Sequence, residues 1–121
     1  MNKDLTLLLI RLIFSGCMLT HGIPKFLNLI SERPKFFDPI GIGEIPSLIL
    51  AVIGEAIAPI FIIIGYKVRF SSLFPIVTMF IAAFVVHFDD PFKKKELALL
   101  YLTGFLIILI MGPGRYSINK K

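Results

Sequence analysis

Apolar residues in this chain do not alternate with polar ones; they gather into four blocks separated by short polar breaks. The blocks are Leu5–Leu19, interrupted by Arg11, then Ile45–Gly65, Phe70–Val86 and Leu97–Met111. A helix needs about 20 residues to cross the hydrocarbon core of a bilayer, and each block reaches that length or approaches it with its flanks. Breakers stand where such helices should stop: Gly22-Ile23-Pro24, Gly65, Asp89-Asp90-Pro91 and Gly112-Pro113-Gly114, while Ile45-Pro46 opens the second helix. Pro59 and Pro75 fall inside blocks, where a membrane helix kinks rather than ends because its neighbours satisfy the freed carbonyls. The pattern predicts an all-α, four-span transmembrane helix bundle with spans at about 5–22, 46–65, 69–87 and 96–112. Residues 1–121 then make a single membrane domain, and the only long connection, 24–44, lies in the interface.

Composition agrees with a membrane class. A chain of 121 residues that is 56% hydrophobic and 17% charged has too little interior to hide its apolar surface in water. The formal net charge of +5 would suit nucleic acid, but no basic helix is interleaved with exposed aromatics and no groove-reading module is present. Basic residues at the two membrane surfaces account for the charge, with the lipid bilayer as partner and no nucleic acid. One cysteine excludes an intramolecular disulfide and a CxxC redox or zinc site. Phe14-Ser15-Gly16-Cys17 loosely resembles a lipoprotein cleavage box, but Arg11 interrupts the apolar run such a box requires, so Cys17 is read as a small packed residue and the first block as a retained helix.

Lys3, Lys67, Arg69, Arg115, Lys120 and Lys121 fall on the side of the termini, and Lys25, Arg33, Lys35, Lys93, Lys94 and Lys95 on the other. With the basic residues tied, the positive-inside rule does not set the orientation. Glu32, Asp38, Glu44, Asp89, Asp90 and Glu96 all lie opposite the termini, which favours cytoplasmic termini. The polar tail Arg115–Lys121 is expected to fray.

Ionisable groups inside the spans are the candidate chemistry, since they are expensive in a bilayer unless neutral, paired or facing a polar cavity. Glu55 sits mid-block with no compensating charge in its own helix. At about 1.5 Å rise per residue, Arg11 lies about 9 Å and Glu55 about 15 Å from the same face, so an interhelical Arg11–Glu55 ion pair is expected. A second layer near the opposite face gathers His21, His87, Lys25, Glu96 and Tyr101, groups able to hold a polar ring and exchange protons with it. Each has a plainer reading: Arg11 and Glu55 as a register pin, the histidines as interfacial residues, Lys25 and Glu96 as snorkelling caps, Tyr101 as an interface aromatic. Ser47, Ala51, Gly54 and Ala58 form a small-residue stripe for close helix packing, which turns Glu55 toward protein. No metal spacing is present, and two histidines near one face do not suit a haem, so no metal or intrinsic cofactor is expected.

Leu9-Ile10-Arg11-Leu12 with Gly16, His21-Gly22-Ile23-Pro24-Lys25-Phe26, Ile53-Gly54-Glu55 with Gly65, and the Ala82–His87 helix end occur here in the order seen in the DoxX family of small four-helix membrane proteins. The chain resembles that family over nearly its whole length. The resemblance implies a bacterial inner-membrane protein linked to quinone or thiol-stress redox systems, with Arg11, His21, Lys25, Glu55 and His87 as its polar positions. It supplies no catalytic cysteine pair, and Cys17 alone cannot run dithiol chemistry. The expected function is a redox-associated subunit that binds a quinone or similar small amphipathic molecule and works with a redox partner protein. Whether the chain is itself an enzyme stays open. The alternatives are a small proton-coupled transporter using Glu55 and a non-catalytic assembly subunit.

Overall fold

The computed structural model describes residues 2–118. Among them the chain forms four helices and no strand: α1 (Lys3–Leu29), α2 (Glu44–Ile64), α3 (Val68–Val86) and α4 (Phe92–Met111). Each helix packs on its neighbours in sequence, and α1 closes the ring against α4. The result is an up-down-up-down bundle of the kind short connections impose. The first three helices are long and apolar enough to cross a membrane. The fourth opens with Phe92, Lys93, Lys94, Lys95 and Glu96 and is free of charge only from Leu97.

The helix ends follow local chemistry. Asn2 caps α1, its side chain accepting the Leu5 N–H at 2.8 Å, and Asp4 in the first turn complements the helix dipole. Gly65 ends α2 in the left-handed conformation at φ 80°, and the Tyr66 N–H reaches back to the Phe61 carbonyl at 2.9 Å. A side chain at position 65 would also meet Ser117, so glycine is required on both counts.

Three expectations need correction here, and the simplest is Cys17, which is exposed rather than packed. The first helix does not stop at Gly22-Ile23-Pro24 but runs through Pro24 to Leu29, which shortens the connection to residues 30–43. Its buried stripe, Leu7, Arg11, Ser15, Met18 and Gly22, keeps a spacing of three or four residues, and packing of that stripe outweighs the one hydrogen bond Pro24 removes. The tail does not fray over residues 115–118 either: the Arg115 N–H bonds Asp4 at 3.0 Å and the Ile118 N–H bonds the Ile64 carbonyl at 3.3 Å. Asn119, Lys120 and Lys121 lie outside the described residues.

The interior holds one large cluster, with Met18, Ile62, Val68, Met79, Ala83, Phe105 and Ile108 at its centre, and a smaller one of Leu48, Val52 and Ala56. The outer face is as apolar as the inner one. Ile13, Phe70, Leu100 and Ile110 are each more than half exposed. Such a surface suits lipid and would be an aggregation hazard in water.

Candidate functional site

Two of the helices widen into π turns, at Ile53–Ile57 in α2 and at Ala82–Val86 in α3. Single π turns are frequent at functional sites. In α2 the turn precedes Pro59, which has no N–H to return to the Glu55 carbonyl. The backbone of α1 approaches that carbonyl so closely that a Cβ on Gly22 would lie 2.0 Å from the oxygen. On the other side a Cβ on Gly54 would lie 2.0 Å from Thr78 Oγ1 of α3. Gly22 and Gly54 therefore let three helices converge around Glu55, as small residues do in membrane bundles.

Glu55 is 2% exposed and pairs with Lys25, whose Nζ donates to Oε2 at 2.5 Å. The lysine is partly exposed and also lies over the Phe36 ring, 5.8 Å from its centroid. Lys25 can reach because α1 continues past Pro24: it follows Gly22 by three residues and so extends the stripe that packs on α2.

The expected Arg11–Glu55 pair is therefore not formed. Arg11 turns instead toward the end of α2, donating to the carbonyls of Ile62 (3.0 Å), Ile63 (3.1 Å), Pro113 (2.7 Å) and Tyr116 (2.8 Å). A helix C-terminus leaves carbonyls without intrahelical donors and carries the negative end of the dipole, so it attracts a guanidinium as a carboxylate would. With the tail carbonyls added, that end satisfies the guanidinium of a residue only 1% exposed. Arg11 and Lys25 are 14 residues apart on one helix, about 21 Å, so they serve opposite ends of the bundle.

A cavity of about 590 Å³ lies between α2 and α3, with Lys25 of α1 and the connection 30–43 at its mouth. Lys25, Ser47, Glu55, Thr78 and His87 supply its polar groups, and Phe36, Phe37, Leu50, Leu73, Phe74 and Val77 much of its apolar wall. The His87 Nδ1 is 2.8 Å from Asp90 Oδ2. That contact, helped by Lys94 and Lys95, holds the Asp90 carboxyl below its usual range. Asp38 ties down the mouth loop: its carboxylate accepts from the Ile42 and Gly43 N–H groups and from the Ser47 hydroxyl.

Of the residues singled out in the sequence, Lys25, Glu55 and His87 meet at this cavity. The anticipated polar layer is split. His21 and Tyr101 contact each other edge to face at 5.7 Å and do not line the cavity, and Glu96 is exposed one turn inside α4. Asp90 and Ser47 were not anticipated as site residues. The His87-x-x-Asp90 spacing at a helix end was the available signal for the first. Among the described residues, no group of three or more His, Cys, Asp or Glu could hold a metal ion.

Comparison with known proteins adds to this geometry. The profile of the DoxX family matches residues 6–88. The chain is similar to the inner membrane protein YqjF of Escherichia coli K12, with 25% identity over 98% of this chain and 92% of that protein. It is also similar to an uncharacterized protein of Haemophilus influenzae, with 27% identity over 98% of this chain and 83% of that protein. No solved structure matches.

Proposed function

The chain belongs to the DoxX family, and from that premise we propose that its α2–α3 cavity binds a quinone or a similar small amphipathic molecule within a redox-associated membrane system. The observation that carries this reading is the cavity itself: a Lys–Glu pair and an imidazole in a space otherwise walled by aromatic and aliphatic side chains. Its volume, about 590 Å³, is in the range of small-molecule sites.

The residues fit a ring bearing oxygen substituents. Lys25 donates one N–H to Glu55 and has others to offer a ligand oxygen. His87, held through Nδ1 by Asp90, can present Nε2. Phe36, Phe37 and Phe74 offer faces for a flat ring. A bound quinone would supply the electron-accepting chemistry. This chain would position it, screen it from water and hold protons near its oxygens. With one cysteine and no metal spacing, electrons would come from a partner protein. The name of the Escherichia coli relative supports placement in a bacterial inner membrane.

Binding of a short-chain benzoquinone to the purified full chain tests the reading. Lys25→Ala and His87→Ala should each weaken it by about tenfold, the loss expected for one hydrogen bond to a charged or polar ligand group. His21→Ala and Tyr101→Phe, outside the cavity, should leave it unchanged. Equal binding by all four variants would reject the cavity as the site and favour a purely structural, assembly role.

A further inference from the structure

The cavity is longer than a head group needs. Its lining on α3 runs from Phe70 through Leu73, Phe74, Val77 and Ile81 to Val86, a rise of about 24 Å. The charged groups occupy only the half from Glu55 to His87; toward Phe70 the walls are apolar. There the cavity shares Phe70 and Phe74 with a smaller groove of about 240 Å³, which continues the crease past Ile53, Ile57 and Phe61 and turns polar only at its far end, at Tyr66, Lys67 and Ser71. Leu50, Leu73 and Val77, along the open side, are about half exposed, so the crease opens sideways onto lipid.

Charge limits the head group. Lys25 and Glu55 cancel, and His87 faces the cavity with Asp90 at its back. A phosphate or carboxylate head would find no net positive charge there and would be desolvated beside Glu55. We infer that the ligand of the proposed site is a single-chain amphiphile: an uncharged, oxygen-bearing head at Lys25, Glu55 and His87, and a long apolar chain laid in the α2–α3 crease as far as Ile57 and Phe61. The inference rests on the cavity reading above and adds the second half of the molecule. An ordinary phospholipid, with its charged head, does not suit the head end.

The test uses the full chain in lipid nanodiscs and two probes with the same benzoquinone ring, one without a side chain and one with a decyl chain. In the wild type the decyl probe should bind at least about tenfold tighter than the bare ring once its partition into protein-free nanodiscs is subtracted. Ile57→Trp and, independently, Ile53→Trp fill the distal groove, which none of Lys25, Glu55 and His87 lines. Both should abolish the decyl advantage while the bare ring binds as in the wild type, which also shows that the variants are folded. A decyl advantage that survives in both variants would overturn the chain placement and leave the head site standing. Failure of both probes to bind the wild type would overturn the cavity reading itself.

Discussion

At the scale of single residues, the bundle distributes its intramembrane charges by what each can reach. Lys25 is partly exposed and Glu55 is not, so the two halves of the pair should respond unequally to mutation. Lys25→Leu leaves a buried carboxylate alone and should cost about 3–5 kcal/mol in unfolding measurements. Glu55→Leu should cost less, because a long lysine can snorkel to the interface. Equal losses would show that Lys25 is held as tightly as its partner. Asp38 gives a pH signature. Its pKa lies below the ordinary 3.8, chiefly because the Gly43 N–H bonds the carboxylate. A depressed carboxyl stabilises its loop fully above the ordinary value, and that stabilisation is lost as pH falls through the lower, folded value. Exchange protection of the Ile42 and Gly43 amides, corrected for intrinsic rates, should therefore fall below pH about 4 in the wild type. Asp38→Asn, which cannot titrate, should show no such step. The sequence made the polar residues legible but not their partners. Arg11 and Glu55 looked matched because depth alone was compared, and the carbonyls at the end of α2 are invisible when only charged side chains are weighed.

At the scale of helices, the three-helix convergence at Glu55 depends on two missing methyl groups. Gly22→Ala would drive a Cβ into the Glu55 backbone, and Gly54→Ala would drive one into Thr78. Each should destabilise the bundle by about 1–3 kcal/mol, as overpacking does. Gly16→Ala is the control, since a Cβ there meets nothing within 4 Å. It should be neutral or stabilising by up to about 1 kcal/mol in thermal unfolding. A loss at Gly16 as large as at Gly22 would mean that helix contacts are not the cause. The number of helices and most of their ends were readable from apolar blocks and breakers. The overrun of α1 was readable as well, had Pro24 been granted the tolerance given to Pro59 and Pro75; the 7-11-15-18-22-25 spacing continues straight through it. The π turns were less readable: Pro59 frees the Glu55 carbonyl and Gly54 sits within the first turn, but no residue type in Ala82–Val86 marks the second.

At the scale of the whole molecule, a four-span path places both ends of α1's polar cargo on opposite sides of the bilayer. Single cysteines at positions 33 and 93, in a Cys17→Ala background, should react from the same side with an impermeant reagent, and one at position 3 from the other. Labelling of 33 and 93 from different sides would show that α2 or α3 does not span and would reject the four-span path. The Arg11 cluster has a further consequence, in time rather than in space. Its acceptors come from residues 62–63 and from residues 113 and 116, more than 100 positions downstream of the arginine. During synthesis the guanidinium enters the membrane long before the last two carbonyls exist. At the 5–20 residues per second typical of translation it waits about 5–20 s for them. The nascent bundle is therefore expected to stay open at that end until its final segment arrives and supplies the last two acceptors. A chain terminated after Gly112 should insert all its helices and yet remain protease-sensitive at the Gly65 turn, while the full chain is protected there.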